Sequence, residues 1–389
     1  MRFYTQQHPF YCGIDLHART MYLCILDQAG ETLLHRNMPA TPEALLKALA
    51  PYHDQIVLAA ECMFTWYWLA DLCADHGIPF VLGHALSMKA IHGGKAKNDT
   101  IDAHKIAVLL RGGMLPQAYV YPAEMRVTRD LLRRRMHLAR KQGERLAHVQ
   151  NTNSQHNLPA IGKKIAYKAN RDGVAERFAD PAVQKSIEVD LALITYDDEL
   201  LRDVELTIVK TAKHHDAQTL SLLQTVPGIG TILSLVLLYA MHAIARFPRV
   251  QDFASSCRLV TCAKESAGKR SGTSGTQIGN AHLTWAFAEA AVLFLRDNPA
   301  GQTLLTRLAK KHSKGKAFTI LAHTLARAIY YMLKRQTAFD LETFLHASGR
   351  GGGELTVSLD SHGMHLLHNA RQGVKNCVLE RHQRLGRYP

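Results

Sequence analysis

The sequence predicts three successive regimes: a mixed α/β sheet with flanking helices, a long helical coiled coil, and a mainly α-helical C-terminal domain with a helix-hairpin-helix turn. Three observations carry this. Short apolar runs alternate with amphipathic stretches through the first third of the chain. Apolar residues then recur near every 3.5 positions in two long segments, and "LLQTVPGIGTILSLVLL" reads as helix, Pro-Gly-Ile-Gly turn, helix.

The elements follow in order. "YCGIDL" and "MYLCILD" are strand-like, and "DQAG" is turn chemistry before "ETLLHR". "TPEALLKALA" opens a helix with Thr41 as N-cap, Pro42 at the first helical position and Glu43 in the first turn. Strand "QIVLAAE", helix "FTWYWLADLCADHG", strand "PFVLG" and a helix from about Thr100 to Arg111 complete an α/β domain over residues 1–122. Residues 123–216 form a basic coiled-coil and linker region, antiparallel or intermolecular. One stripe is Leu132, Met136, Ala139, Leu146 and Val149; the other is Ile187, Leu191, Ile194, Leu201 and Ile208, interrupted by Asp198 and Glu205. Residues 217–348 read as a compact helical domain and 349–389 as a basic tail. The tail places His362, His365 and His368 at steps of three, a row that is incidental without an added carboxylate or Cys.

With 389 residues, 47% of them hydrophobic, the chain can build two or three cored domains. A net charge of +14 points to a polyanionic partner, though charge alone does not separate DNA, RNA and an acidic membrane surface. Residues 123–170 hold eleven Lys/Arg against three Asp/Glu, a concentration that an enzyme of small molecules does not need. A charge run is ordinarily a solvated face, but here few acids compensate. Arg126, Arg129, Arg133, Arg134, Arg135, Arg140 and Lys141 are therefore candidates for a phosphate-tracking surface. Seven scattered cysteines, none spaced C-x-x-C, suggest neither disulfides nor structural zinc and fit the reducing cytoplasm. No signal peptide and no bilayer-length apolar run are visible, so no membrane partner is expected.

Four acids stand at positions where chemistry gathers. Asp15 ends the first strand, Glu61 ends a later one, and Asp99 and Asp102 lie one helical turn apart. Brought together they would repel by roughly 4 kcal/mol per pair at about 4 Å and an effective dielectric near 20, a cost that Mg²⁺ or Mn²⁺ removes. The alternative is a helix-capping pair, which the spacing of Asp99 and Asp102 taken alone favours. The recurrence of an acid at two strand ends shifts the balance towards a metal.

Two features of the second half suit phosphate. The glycines of "PGIG", Gly228 and Gly230, allow a turn that points backbone N–H groups at a phosphate, or else an ordinary helix end between packed helices. "CAKESAGKRSGTSGTQIGNAHLTWAF" is rich in Gly, Ser and Thr, carries Lys264, Lys269 and Arg270, and reads as a loop around a phosphodiester. Its chemistry alone does not choose among Ser266, Ser271 and Ser274 as a nucleophile.

"GIDLHART", "AAECMFTWYWLADLC" and "KNDTIDAHKIA" resemble the DEDD motif of the RuvC-like transposases of bacterial insertion sequences, the IS110 family and within it the eleven-eleven branch. The resemblance spans roughly residues 10–348. It implies an RNase H-like fold for the first domain, with Asp15, Glu61, Asp99 and Asp102 as ligands of Mg²⁺ or Mn²⁺. It implies Ser266 as the nucleophile that forms a 5′-phosphoserine, with Glu265, a cluster acid or a metal-bound hydroxide taking its proton. The implied partners are donor and target DNA, a structured noncoding bridge RNA, and further copies of the chain in a dimer or tetramer. There the acid domain of one subunit completes its site with the serine domain of another, in the nucleoid of a bacterial cytoplasm. Two other readings stand beside it: a RuvC-like nuclease that only hydrolyses, and a non-catalytic nucleic-acid-binding scaffold.

Overall fold

Five strands form one mixed sheet in the order β3-β2-β1-β4-β5. They are β1 (Phe10–Leu16), β2 (Thr20–Asp27), β3 (Thr32–Pro39), β4 (Ile56–Glu61) and β5 (Phe80–Gly83). The structure is a computed structural model that describes residues 2–91, 98–212, 216–260, 262–274 and 278–350. It divides into two compact units, Met1–Arg126 and Val127–Pro389.

In the first unit β1, β2 and β3 are an antiparallel meander, and β4 and β5 add parallel to β1. Its helices are α1 (Pro42–Leu49), α2 (Trp66–Asp75), α3 (Ala85–Ile91) and α4 (Asp99–Arg111). The Asp27 carboxylate accepts from the Gly30 and Glu31 amides at 2.8 Å, closing the "DQAG" turn. Thr41 caps α1 through the Ala44 amide, and Pro42 and Glu43 fill its first turn. Strand alternation sends Cys12, Ile14 and Leu16 into a core with Leu45, Leu49 and Leu69. Tyr11, Val57 and Ala59 face the other way, against Ile106, Leu109 and Leu110 of α4. This second face carries the site.

The second unit contains nearly all of α5 (Ala123–Gln155), together with α6 (Pro181–Ala212). Arg135 meets Glu205, Gln142 meets Asp198 and His148 meets Asp190, so the two helices run antiparallel within one chain. Their facing sides step by four and three. Thr128, Leu132, Arg135, Ala139, Gln142, Leu146, Val149 and Asn153 line one seam, with all but Ala139 buried. Ile187, Leu191, Ile194, Asp198, Leu201, Glu205, Ile208 and Ala212 line the other. Arg135 thus takes the place expected for Met136. The two acids that interrupt the apolar stripe of α6 are the partners of Arg135 and Gln142. Arg171, in the connecting segment, donates to Asp198 at 2.7 Å, and Ile165, Val174 and Phe178 pack into the same cluster as Leu146 and Ile187.

The remaining elements are α7 (Ala217–Gln224), α8 (Thr231–Met241), α9 (Val250–Ser256), β6 (Cys262–Ser266), β7 (Lys269–Ser274), α10 (Ala281–Phe294), α11 (Pro299–Lys311), α12 (Lys314–Arg335) and α13 (Leu341–Arg350). Leu235 and Leu238 of α8, Phe287 and Ala290 of α10, and Leu321, Leu325 and Ile329 of α12 are fully buried. Where a loop is expected around Ser266, the chain forms an antiparallel hairpin, β6 with β7. His362, His365 and His368 lie outside the described residues. Among the described residues, no helix is long and apolar enough to cross a membrane.

Candidate active site

Helix α4 lies directly on β1 because residue 13 has no side chain. A Cβ at Gly13 would collide with the Ala103 carbonyl oxygen and the Ala107 amide nitrogen. That close approach brings the first turn of α4 beside the end of β1, where Asp15 follows Gly13 on the same face of the strand. His35, on β3, contacts the Thr100 carbonyl oxygen through Nε2 at 3.0 Å and so holds the same first turn from the sheet's outer edge.

Asn98 settles what the two acids of α4 do locally. Its side chain caps the helix, accepting from the Ile101 amide at 2.8 Å, so the N-cap position belongs to neither Asp99 nor Asp102. Asp99 instead reaches His17, whose Nε2 lies 3.4 Å from Asp99 Oδ1 and 3.4 Å from Asp15 Oδ2. Ligand atoms of Asp15, His17 and Asp99 all lie within 4.8 Å of one another. Asp102 sits one turn on, with Lys105 Nζ 3.3 Å from its Oδ1. Glu61 ends β4, next to β1, in the parity of Val57 and Ala59 and therefore on the same sheet face. Glu61 and Asp102 stand outside the 4.8 Å group.

Burial raises the Asp15 carboxyl above the ordinary carboxylate range; His17 opposes the shift, and Asp99 and Asp102 add to it. A carboxylate destabilised by burial and by two like charges gains from a divalent cation, and two carboxylates with an imidazole form a donor set for one. The residues therefore fit a divalent metal ion, with a nitrogen donor added to the oxygens. His17 was not singled out from sequence. Its signal is the Asp-x-His spacing in "GIDLH", which brings an imidazole back over the strand end.

In the second unit Ser266 is the last residue of β6 and pairs with Lys269, so the hairpin closes through Ala267 and Gly268. Both turn residues have positive φ, 50° and 75°, the twist that a two-residue hairpin needs. Ser266 is exposed at this tip, as is Lys269. The segments on either side of the hairpin are tied together: Arg258 Nε donates to the Gly279 carbonyl oxygen at 3.0 Å, and the Asn280 amide donates to the Ser256 carbonyl oxygen at 2.7 Å. The backbones of Lys264 and Arg270 lie in the two strands; their side chains are outside the described set.

Two family models match the chain. The DEDD transposase model of the IS110 type matches residues 12–156, and the model described as Transposase IS116/IS110/IS902 family matches residues 220–305. The chain belongs to the IS110 transposase family. It is a DNA transposase, and its first unit, a five-stranded mixed sheet with flanking helices, fits the RuvC-like fold. No curated protein matches the chain.

The basic residues of this transposase divide sharply. Arg126 is 5% exposed: it donates to Asp71 at 2.8 Å and lies over the Trp66 and Tyr67 rings at 4.7 and 5.1 Å. Arg135 is buried against Glu205 at 2.9 Å. Both are corrected from phosphate contacts to internal latches. Arg134 and Arg140 are exposed, Arg129, Arg133 and Lys141 half-buried; Arg133 pairs with Asp130, and Arg140 and Lys141 both meet Glu144. Arg129 and Arg133, with Arg258, surround His282, whose imidazole is pushed down to about 4 by burial and then by these cations. The turn glycines differ too. A Cβ at Gly228 would collide with the backbone of Leu293 and Phe294, so this glycine serves packing against α10, whereas Gly230 opens α8 with clear space beside it.

Proposed function

We propose that this transposase cuts and rejoins DNA by transesterification through Ser266. The Ser266 hydroxyl oxygen attacks the scissile phosphorus and yields its proton to a base; the P–O3′ bond breaks, the leaving 3′-oxygen takes a proton, and a 5′-phosphoserine remains. Attack on that phosphorus by the 3′-hydroxyl of another strand runs the step backwards and joins new ends, so the phosphoester count is conserved and no energy-rich cofactor is consumed. Asp15, Glu61, Asp99, Asp102 and His17 would hold Mg²⁺ or Mn²⁺, which supplies positive charge against the scissile phosphate.

The observation that carries this reading is the meeting of Asp15 and Asp99 around His17 at 3.4 Å, in a chain whose matched family is a DEDD transposase. Exposure of Ser266 beside Lys269 supports the serine as nucleophile, since both face solvent where a phosphodiester can approach. Gly230, Lys264, Lys269 and Arg270 are proposed to contact the phosphate backbone with the exposed Arg134 and Arg140 and the half-buried Arg129, Arg133 and Lys141. Donor and target DNA are brought together by a structured bridge RNA, read by shape and backbone. The active assembly is a homo-oligomer. The seam between α5 and α6 is filled within one chain, so subunits would meet through other surfaces.

The test is incubation with the element's own junction DNA, its RNA and Mg²⁺. Wild type gives a protein–DNA adduct that Ser266→Ala lacks. Strand nicks that persist in Ser266→Ala with no adduct in wild type would show a hydrolytic nuclease instead.

A further inference from the structure

The long helix α5 was the sequence's obvious basic surface, yet several of its cations are matched by acids: Arg126 by Asp71, Arg133 by Asp130, Arg135 by Glu205, Arg145 by Asp197, and Lys141 by Glu144. Another stretch carries no acid of its own. Residues 298–339 hold eight Lys/Arg and not one Asp or Glu. Five of the eight fall within "RLAKKHSKGK", where the end of α11 turns into the start of α12.

At this corner Arg307, Lys310, Lys311 and Lys314 are exposed and Lys316 is half-buried. Among the described residues, none of the four lysines takes part in an ion pair. Folding alone does not ask for this arrangement. Lys310 and Lys311 suit the carbonyl end of α11, but a helix's first turn favours acids, and α12 carries Lys314 and Lys316 there instead. Like charges so close, held on two helix ends joined by a tight turn, are stabilised by an external polyanion, and among the described residues no acid pairs with the four lysines. Flexible ammonium groups that, among the described residues, lie over no aromatic ring suit a phosphate backbone rather than base edges.

We propose that the α11–α12 corner, Arg307, Lys310, Lys311, Lys314 and Lys316, is a sequence-independent docking surface for the sugar–phosphate backbone of duplex DNA. It rests on the DNA chemistry of the family and is independent of Ser266. Each lost phosphate contact on duplex DNA lowers the slope of log affinity against log salt by about 0.9.

The experiment compares the full-length protein with Lys310→Gln/Lys311→Gln/Lys314→Gln on a mixed-sequence DNA duplex, across a series of KCl concentrations, with circular dichroism as the check on fold. The expected result is a salt slope shallower by roughly 2–3 and an affinity at least about tenfold weaker near physiological salt, at unchanged helicity. An unchanged slope and affinity in the variant overturn the proposal while leaving the transposase reading intact. Failure of wild type to bind duplex at all overturns the docking surface, while the adduct assay with RNA still decides the transposase reading. A slope change seen on single-stranded RNA but not on duplex DNA overturns the choice of DNA. If the triple variant misfolds, Lys311→Gln and Lys314→Gln are measured singly, each expected to lower the slope by about 0.9.

Discussion

Gly13 and Gly143 show how much one methyl group can weigh at different places. At Gly13 an added Cβ would run into the backbone of α4, whereas at Gly143, in the middle of α5, it would meet nothing within 4 Å. Gly13→Ala is therefore expected to cost about 1–3 kcal/mol and to push Asp99 away from Asp15. Gly143→Ala is expected to stabilise by about 0.5–1 kcal/mol through helix propensity. Urea midpoints of the two variants check both signs; a neutral Gly13→Ala would mean that α4 has room to spare. Asp15 itself is raised by burial and by its acidic neighbours. Without metal, the charged cluster is then a liability at neutral pH, so Asp15→Asn should melt higher than wild type in EDTA. Mg²⁺ should raise the melting temperature of wild type but not of the variant. Equal responses to Mg²⁺ in both would place the cation elsewhere.

Among the elements, β1 to β5, α1, α2 and α4 were legible because each carries its own period, apolar runs ended by turn residues or apolar residues at helical spacing, whereas the short α3 was not. The hairpin of β6 and β7 was not. "CAKES" and "KRSGTS" have no apolar alternation, and only "AG" between them hints at a two-residue turn. Charged seams were also hidden, since an arginine that will face an acid on a helix 70 residues away reads in sequence like any exposed arginine. Arg135 meets Glu205, and the buried Glu289 of α10 is lowered by Arg135 and Arg296 against a larger upward push from burial, ending at about 7. Arg135→Met should therefore cost roughly 3–5 kcal/mol, against about 0.5 or less for the exposed Arg134→Met; comparable urea midpoints would deny the latch. For Glu289 the native state holds a proton that the unfolded chain releases between about pH 4.5 and 7, so stability falls as pH rises through that window. Glu289→Gln should flatten this dependence and add about 1–3 kcal/mol at pH 8. Parallel pH profiles for the two proteins would contradict it.

For the whole molecule, separated motifs converge on one family and one class of chemistry. The placement of the acids at two strand ends and in the first turn of a helix was legible, though only Asp15 and Asp99 join the 4.8 Å group; His17 was not, because an imidazole beyond a strand end looks like a surface residue until the strand is placed beside α4. The charge was legible as a total and misleading as a distribution. The arginine-dense helix spends several cations inside the fold, while residues 298–339 keep eight with no acid among them. Of the two proposals for the chemistry and the docking surface, only the first requires both units of the chain.

That joint requirement is best tested by mass spectrometry of nuclease-trimmed peptides after reaction with junction DNA, RNA and Mg²⁺. The account predicts a nucleotide on the peptide containing Ser266 in wild type, and none in Asp15→Ala under the same conditions. A nucleotide attached to another side chain, or an adduct on Ser266 that survives Asp15→Ala undiminished, would contradict it.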